Sequence, residues 1–441
     1  MTAPRYYLWN IGCQMNQADA ERLAEALEAR GYAATREPSE AALLLLNTCV
    51  VRQSAEDKVL GRLASLRPLA CDDGSRQLLV MGCFVDQAGD LEIRYPYVDR
   101  FFAPSDIQGV LKHVDAWAGR NGDAVPATAR PARVNEMVPI SYGCDHRCTY
   151  CIVTERRGPQ RSRPIAEIVA EAEDLVARGA REITLLGQNV DAYGTDWDQG
   201  ADPAGRPDLA DLLDAVHAVP DLWRIRFLTS HPREMTPRII EAVARLPKVC
   251  PSWELPVQSG DDAVLRRMGR GYTVEHFREL AERIRAATPE SGLNTDVIVG
   301  FCGETDAEFQ NTLDLVRELR FDMVHIAAYS VREGTPAAGW PDDVPPDEKE
   351  RRRALLEETQ TEIATEINAA LLGETVTILV EGRQRGRWRG RTRTNRLVFF
   401  ESDDNWRGKL ARVRITWTGP WSMIGDVVTE GEPAGEATPE G

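Results

Sequence analysis

Cys144-Asp-His-Arg-Cys148-Thr-Tyr-Cys151 sets three thiols in a CxxxCxxC run on a single loop. A structural zinc site takes four ligands, and a cubane iron–sulfur cluster is ordinarily held by four cysteines, so a compact trio leaves one metal position open. An open iron serves chemistry rather than support. The competing readings are a zinc knuckle short of one ligand and three cysteines that lie close by chance.

Outward from this loop the sequence repeats a strand followed by a helix. Strands are expected at Met137–Tyr142, Glu182–Leu186, Arg224–Leu228, Trp253–Val257, Asn294–Val299 and Met323–Ala328, with helical periodicity between them. Six units do not close an eight-stranded barrel, and the cysteine loop follows the first of them, at the strand end where such folds place active sites. Residues 1–120 contain three further units: a strand at Tyr6–Ile11 with an amphipathic helix around Ala20–Arg30 that Gly31 stops, then strands Leu43–Leu46 and Leu78–Met81. Each strand is followed at once by a cysteine, namely Cys13, Cys49 and Cys83. In an open parallel sheet the loops after the strand carboxyl ends converge on one edge. Topology therefore predicts a second three-thiolate centre, the alternative being three small buried hydrophobes.

The 441 residues exceed one typical core, and a hydrophobic content of 43% suffices for packed domains. Without an apolar run of about 18 residues or a signal-peptide core, a soluble cytoplasmic protein is expected. Nine cysteines, an odd number clustered in loops, read as metal ligands rather than a secreted disulfide framework. Cys71, Cys250 and Cys302 have no partner segment and read as noncatalytic, with Cys302 nearest the site. A formal charge of −16 argues against a nucleic-acid partner on average. Locally, Arg383, Arg385, Arg387, Arg389, Arg391, Arg393 and Arg396 fall in a stretch without an acidic residue. Alone this is a solvated surface strand; its alternation puts Arg383 to Arg393 on one face of a strand, although the glycines leave a loop possible. A Pro/Ala-rich linker is expected over Asn121–Ala132 and a long charged helix over Asp347–Leu372. Strands at Thr375–Val380, Leu397–Phe400 and Ala411–Thr416 follow, then a disordered tail over Gly431–Gly441.

Gly143-Cys144-Asp-His-Arg-Cys148-Thr-Tyr150-Cys151-Ile-Val153, followed by Arg157-Gly158 and Ser162-Arg163-Pro164, resembles the cluster loop of the radical S-adenosylmethionine methylthiotransferases. Gly12-Cys13-Gln14-Met15-Asn16, Asn47-Thr48-Cys49 and Gly82-Cys83 resemble segments of that family's amino-terminal domain. Gly390–Arg396 and the strand order around it resemble its small RNA-binding barrel, the TRAM domain. The resemblance implies an α/β chain: an open α/β sheet domain (1–120), a central six-stranded (β/α)6 partial TIM barrel with a trailing helix (134–372), and a small C-terminal β-barrel (373–430).

The resemblance further implies two 4Fe-4S clusters. One is held by Cys144, Cys148 and Cys151, its open iron binding S-adenosylmethionine; the other is held by Cys13, Cys49 and Cys83, with an iron free for exogenous sulfur. Tyr150, Gln188, Ser230 and Gln258 would line the cofactor cavity, and Arg383, Arg385, Arg387, Arg389, Arg391 and Arg393 would face RNA. His231, beside Pro232, reads as structural rather than a metal ligand. Asp145, Thr154 and Cys302 depart from the family pattern without removing a ligand.

The implied activity is methylthiolation of C2 of N(6)-dimethylallyladenosine at position 37 of tRNA. An aromatic C–H offers neither an acidic proton nor a leaving group, so a radical route suits it, with the cofactors carrying the hard chemistry. Related enzymes act on threonylcarbamoyladenosine in tRNA or on a ribosomal-protein aspartate; Gln14-Met15 departs from the Gly-Cys-Pro-Lys-Asn opening of the latter. The implied partners are tRNA, an electron donor such as a flavodoxin or ferredoxin, and a sulfur source, for a monomer without membrane attachment. The reading from another class is a noncatalytic iron–sulfur or zinc protein that binds RNA or senses redox state.

Overall fold

Alternate side chains of a strand point to opposite faces, and in Leu43-Leu-Leu-Leu46 both sets are apolar. Leu43 and Leu45 pack with Tyr6, Leu79 and Met81 on one side, and Leu44 and Leu46 with Leu78 and Val80 on the other. Such a strand belongs inside a parallel sheet. The computed structural model describes residues 3–51, 53–70, 74–85, 90–119, 131–197 and 206–428. Cys71, most of the expected linker and the expected tail lie outside these residues.

The first unit comprises β1 (Arg5–Asn10), α1 (Gln14–Glu28), β2 (Ala33–Ala34), β3 (Leu43–Thr48), α2 (Gln53–Leu66), β4 (Gln77–Gly82), α3 (Leu91–Arg94), β5 (Arg100–Phe102) and α4 (Ile107–Trp117). Its strands run parallel in the order β2-β1-β3-β4-β5. α1 and α4 cover one face through Leu23, Leu27, Val110 and Val114, and α2 covers the other through Val59 and Leu63. The order reverses between β1 and β3, the switch point at which open α/β sheets bind ligands. Cys13 and Cys49 follow those two strands.

The central unit comprises β6 (Asn135–Pro139), β7 (Ser141–Tyr142), α5 (Val153–Arg157), β8 (Arg161–Ser162), α6 (Ile165–Ala177), β9 (Glu182–Leu186), α7 (Leu209–His217), β10 (Arg224–Leu228), α8 (Pro237–Arg245), β11 (Ser252–Glu254), α9 (Asp262–Arg267), α10 (Val274–Ala287), β12 (Gly292–Val299), α11 (Asp306–Leu319), β13 (Met323–Ala328) and α12 (Pro346–Ala369). Parallel ladders β6-β9-β10 and β11-β12-β13 meet through the bridge Ile225–Val249. No ladder among the described residues joins β13 back to β6, so the barrel is open with six principal strands. Ile183, Leu185, Ile225, Phe227 and Val297 face the helices, while the alternate positions Glu182, Thr184, Arg224 and Arg226 are buried on the inner face. Capping boxes at Asp208/Asp211 and Thr305/Glu308 fix where α7 and α11 begin.

The expected strand Met137–Tyr142 is two elements. After Pro139 the chain leaves β9, and Ser141 and Tyr142 pair antiparallel with Ser162 and Arg161. This small hairpin closes the base of the cysteine loop.

The last unit is a closed barrel of β14 (Thr375–Gln384), β15 (Arg387–Arg391), β16 (Leu397–Phe400), β17 (Leu410–Thr418) and β18 (Met423–Val427), in the order β14-β15-β16-β18-β17. Ile378, Val380, Val398, Phe400, Val413 and Ile415 fill it. It docks at the amino ends of the central strands, opposite the cysteine loop. Arg226 donates to the carbonyls of Arg393 (2.8 Å) and Thr392 (2.7 Å) while paired at 3.0 Å with Glu182. Arg224 donates to the Arg391 carbonyl at 2.6 Å, and Arg393 returns bonds to the carbonyls of Pro247 (2.6 Å) and Val249 (2.8 Å). Among the described residues no helix is long and apolar enough to cross a membrane.

Candidate active site

Gly143 opens the first cysteine loop at φ +75°, and a Cβ there would lie 2.1 Å from the Pro159 carbonyl oxygen. Only glycine fits this close crossing. The Cys144 amide donates to the Gly158 carbonyl at 3.1 Å, and Thr149 is held from its amide to the Met268 carbonyl (3.0 Å) and from its hydroxyl to the Arg267 carbonyl (2.8 Å). Asp145 and Thr154 are staples of the loop: the Asp145 carboxylate accepts the Gln160 amide at 3.0 Å, and the Thr154 hydroxyl donates to the His146 carbonyl at 3.0 Å. Cys144, Cys148 and Cys151 act on one another electrostatically. Burial, reinforced by the neighbouring thiols, pushes Cys144 up to about 11 and Cys151 up to about 12.

Cys13 caps α1, and a Cβ on the preceding Gly12, at φ +137°, would stand 2.9 Å from Cys49 Cβ. The loops after β1, β3 and β4 are laced together. Asn16 donates to the carbonyls of Ile11 (2.9 Å) and Thr48 (2.8 Å), Asn47 to the Asn16 carbonyl (2.7 Å), and Thr48 to the Met81 carbonyl (2.7 Å). This lacing brings Cys13, Cys49 and Cys83 into mutual electrostatic contact, and burial pushes Cys49 up to about 11.

Three thiolates around a cluster core leave a net negative charge, and a buried charge is tolerated when paired. Each trio has a buried arginine at one sulfur. Arg270 donates to Cys148 Sγ at 3.3 Å and is held by Tyr272 Oη (3.1 Å) and the Pro256 carbonyl (3.2 Å). Arg157, from the other side of the domain boundary, acts electrostatically on Cys83 and Cys13. Three soft donors, an uncommitted fourth position and a cation against the sulfur fit an iron–sulfur cluster at each place, with protons released as the thiols are metallated.

The first unit caps the carboxyl mouth of the open barrel. Met15 and Ala18 of α1 pack on Leu186 and Leu228, the last residues of β9 and β10, and Ile152, next to Cys151, inserts into the core beside Trp9, Ile11, Val50 and Phe84. The loops that carry the two trios therefore meet at this mouth. Its rim is strained and underbonded. Thr229, directly after β10, and Gln258, four residues beyond β11, sit at φ +72° and +69°, conformations that cost a branched or long residue on the order of 1–3 kcal/mol. Gln188 Oε1, Asn189 Oδ1, Asp191 Oδ1 and Gln258 Oε1 are buried without a partner among the described residues, as expected of groups awaiting a polar ligand. Ser230 lies beside Asp191, whose carboxyl burial pushes up to about 7. Tyr150 packs edge-on to Phe301 at 6.2 Å, in the cluster that also holds Cys302. Cys250 lies at the far end, near Arg224 and Arg226.

The sequence signals neither Arg270 nor the pairing of His146 and Glu234 with His231, which it marks as structural, and it shows Arg157 only as part of a motif. Arg270 meets its sulfur across 122 positions, which no local pattern signals. Glu234 Oε2 lies 3.0 Å from His146 Nε2 and 2.9 Å from His231 Nδ1, but the two rings stack at 3.9 Å with 9° between planes. An ion shared by both nitrogens would sit well out of each ring plane, where no lone pair points. The trio is a carboxylate against two stacked imidazoles, which ties the cysteine loop to the loop after β10.

The arginine run does not share one face of one strand. The chain turns at Arg385, φ +50°, and Gly386, so Arg383 lies on β14, Arg387, Arg389 and Arg391 on β15, and Arg393 in the following turn. The glycine that left a loop possible in the sequence makes the hairpin. Arg383 stacks over Trp388 at 4.5 Å, Arg387 pairs with Glu401 at 2.9 Å, and Arg389 and Arg391 flank Glu381 at 3.7 and 3.4 Å. Arg393 is spent on docking the barrel.

Three family models match: Radical SAM superfamily over residues 138–316, the uncharacterized protein family UPF0004 over 5–103, and TRAM domain over 369–428. The chain is 49% identical to a tRNA-2-methylthio-N(6)-dimethylallyladenosine synthase of Roseiflexus sp. (strain RS-1), covering 96% of this chain and 89% of that one. It is 44% identical to the synthase of the same description from Herpetosiphon aurantiacus, covering 98% and 99%. The chain belongs to the family of these synthases, the radical S-adenosylmethionine methylthiotransferases. The fold of this methylthiotransferase is also similar to that of a radical S-adenosylmethionine methyltransferase, TsrM, from Kitasatospora setae, with a TM-score of 0.53 at 14% identity over 76% of this chain and 75% of that one. An iron–sulfur cluster and S-adenosylmethionine accordingly belong to this enzyme's chemistry.

Proposed function

We infer that this methylthiotransferase modifies C2 of N(6)-dimethylallyladenosine in tRNA, with S-adenosylmethionine as radical source and methyl donor. The observation that carries the reading is the presence of two cysteine trios, one on each side of the mouth of an open barrel, in a chain 40–49% identical over nearly its whole length to synthases described by that product. We propose Cys144, Cys148 and Cys151 as ligands of one 4Fe-4S cluster and Cys13, Cys49 and Cys83 as ligands of a second. When bound, the clusters would supply the electron and the sulfur, and S-adenosylmethionine the radical and the methyl group.

The chain's own part is placement. Gly143, Asp145 and Thr154 set the first loop; Asn16, Asn47 and Thr48 set the second. Gln188, Ser230 and Gln258 offer polar atoms to the cofactor and the base from the loops after β9, β10 and β11. Tyr150, packed on Phe301, forms an apolar wall beside the first trio. α1 packs Met15 and Ala18 against the barrel mouth, while Cys13 at its amino end stays open to solvent. Arg385, Arg387 and Arg389, on the outward side of the small barrel, face tRNA phosphate. Residues 373–428 carry eleven Lys and Arg against six Asp and Glu in a chain of net charge −16. The enzyme works in the cytoplasm as a monomer, fed by a flavodoxin or ferredoxin and an external sulfur source.

Nucleoside mass spectrometry of tRNA from a methylthiolation-deficient host, with and without this chain, tests the reading. The expected outcome is 2-methylthio-N(6)-dimethylallyladenosine only when the chain is expressed. Methylthiolated threonylcarbamoyladenosine in its place, or no modified nucleoside from iron-loaded protein, overturns it.

A further inference from the structure

We propose that Arg157 is the positioning cation of the second cysteine trio and that the Arg157-Gly158 dipeptide ties the two metal centres together. The inference rests on the reading of Cys13, Cys49 and Cys83 as a cluster site. Arg157 ends α5 of the central unit, six residues after Cys151, yet its guanidinium is 4% exposed and lies inside the first unit. There it donates through Nη2 to Asn16 Oδ1 at 2.7 Å and through Nη1 to Ser105 Oγ at 3.1 Å. The same Asn16 Oδ1 lies 3.8 Å from Cys13 Sγ, and the guanidinium acts electrostatically on Cys83, Cys13 and Cys49. One residue on, the Gly158 carbonyl accepts the Cys144 amide at 3.1 Å. A single dipeptide thus links the Cys144 amide of one trio to the charge surroundings of the other.

A guanidinium is permanently charged and presents five donors in a rigid plane. Burying it is costly unless negative charge opposes it. Asp19, 1% exposed, stands 3.9 Å away, beyond hydrogen-bond length, and is itself bonded by Ser105 at 2.7 Å. The remaining opposing charge is the thiolate set. One-electron reduction of a cluster adds a negative charge without making or breaking a bond, and a cation or a donor at a ligand sulfur favours that state. Arg157 therefore holds the second cluster's potential above the value the same three cysteines would give alone. The first centre has its own cation in Arg270, at Cys148 Sγ, and Arg157 is not among the groups that act on Cys144 or Cys151.

The test uses the full chain, reconstituted anaerobically with iron and sulfide, with Cys144, Cys148 and Cys151 replaced by Ala so that only the second trio binds iron. A dithionite titration followed by electron paramagnetic resonance reads the midpoint potential. Arg157→Gln is expected to move it negative, Arg157→Lys to restore most of the loss, and Asp19→Asn to move it positive. In the reciprocal background, with Cys13, Cys49 and Cys83 replaced by Ala, Arg157→Gln should leave the first cluster's potential in place. Unchanged potentials at full iron content, or equal displacement of both clusters, overturn the role given to Arg157. If Arg157→Gln protein binds no iron, Asp19→Asn decides: a positive shift supports the inference and none overturns it. If the parent background binds no iron, the cluster reading falls and the arginine's role falls with it.

Discussion

Gly143 shows how much of the first centre depends on one missing side chain. Its left-handed backbone is open to other residues at a cost on the order of 1–3 kcal/mol, but the Cβ would also meet the Pro159 carbonyl at 2.1 Å, and the backbone must move to relieve that. The Cys144 amide is bonded to the adjacent Gly158 carbonyl, so the movement falls on a ligand. Gly143→Ala is expected to leave the chain folded, because the hydrophobic cores lie elsewhere, and to lose one cluster. Iron and sulfide analysis after reconstitution should fall from about eight of each per chain to about four. Full iron loading would show that the loop tolerates the shift.

At the scale of elements, legibility in the sequence followed the range of the interaction. β3 and β4 are apolar on both faces and stand out as buried parallel strands; six repeated units stand out as an open barrel. The convergence of Cys13, Cys49 and Cys83 followed from strand order alone. Features decided by partners far along the chain did not stand out. β7 breaks from β6 because Ser141 and Tyr142 find Ser162 and Arg161, and the arginine run reads as one strand until a turn at Arg385 and Gly386 folds it back. The polar residues on the inner face of β10 belong to the same class. Arg226, buried, satisfies Glu182 and two carbonyls of the small barrel at once. Arg226→Met leaves Glu182 buried without its cation, a change that costs about 3–5 kcal/mol. Denaturant unfolding should show that loss, with faster proteolysis between α12 and β14 as the small barrel loosens. The double change Arg226→Met with Glu182→Leu should recover most of it, because the uncompensated carboxylate is then gone. Equal destabilisation by single and double variants would assign the cost to the carbonyl contacts instead.

Across the whole molecule the chemistry and the basic surface lie at opposite ends of the central barrel. The cysteine loops sit at the carboxyl ends of its strands, and the small barrel is bolted to the amino ends through Arg224, Arg226 and Arg393. A substrate reaching both must be large, which suits a tRNA and not a free nucleoside. The net charge of −16 means that long-range steering repels phosphate over most of the surface. Binding must then rest on a local patch, and its salt dependence must be carried by few residues. Arg385 and Arg387 are exposed and Arg389 is half-buried, Arg387 and Arg389 being paired with the side chains of Glu401 and Glu381, whereas Arg391 and Arg393 are bonded to backbone carbonyls. Replacing Arg385, Arg387 and Arg389 by Ala should therefore weaken tRNA binding and lower the slope of log K against log salt by about 2, each lost phosphate contact contributing about 0.7–0.9. Iron content and S-adenosylmethionine cleavage in the absence of tRNA should not change, since none of the three approaches either cysteine trio. Filter binding at several salt concentrations separates the outcomes. A reduced slope places the patch on this hairpin, while an unchanged slope with unchanged affinity returns these arginines to the role of a solvated face.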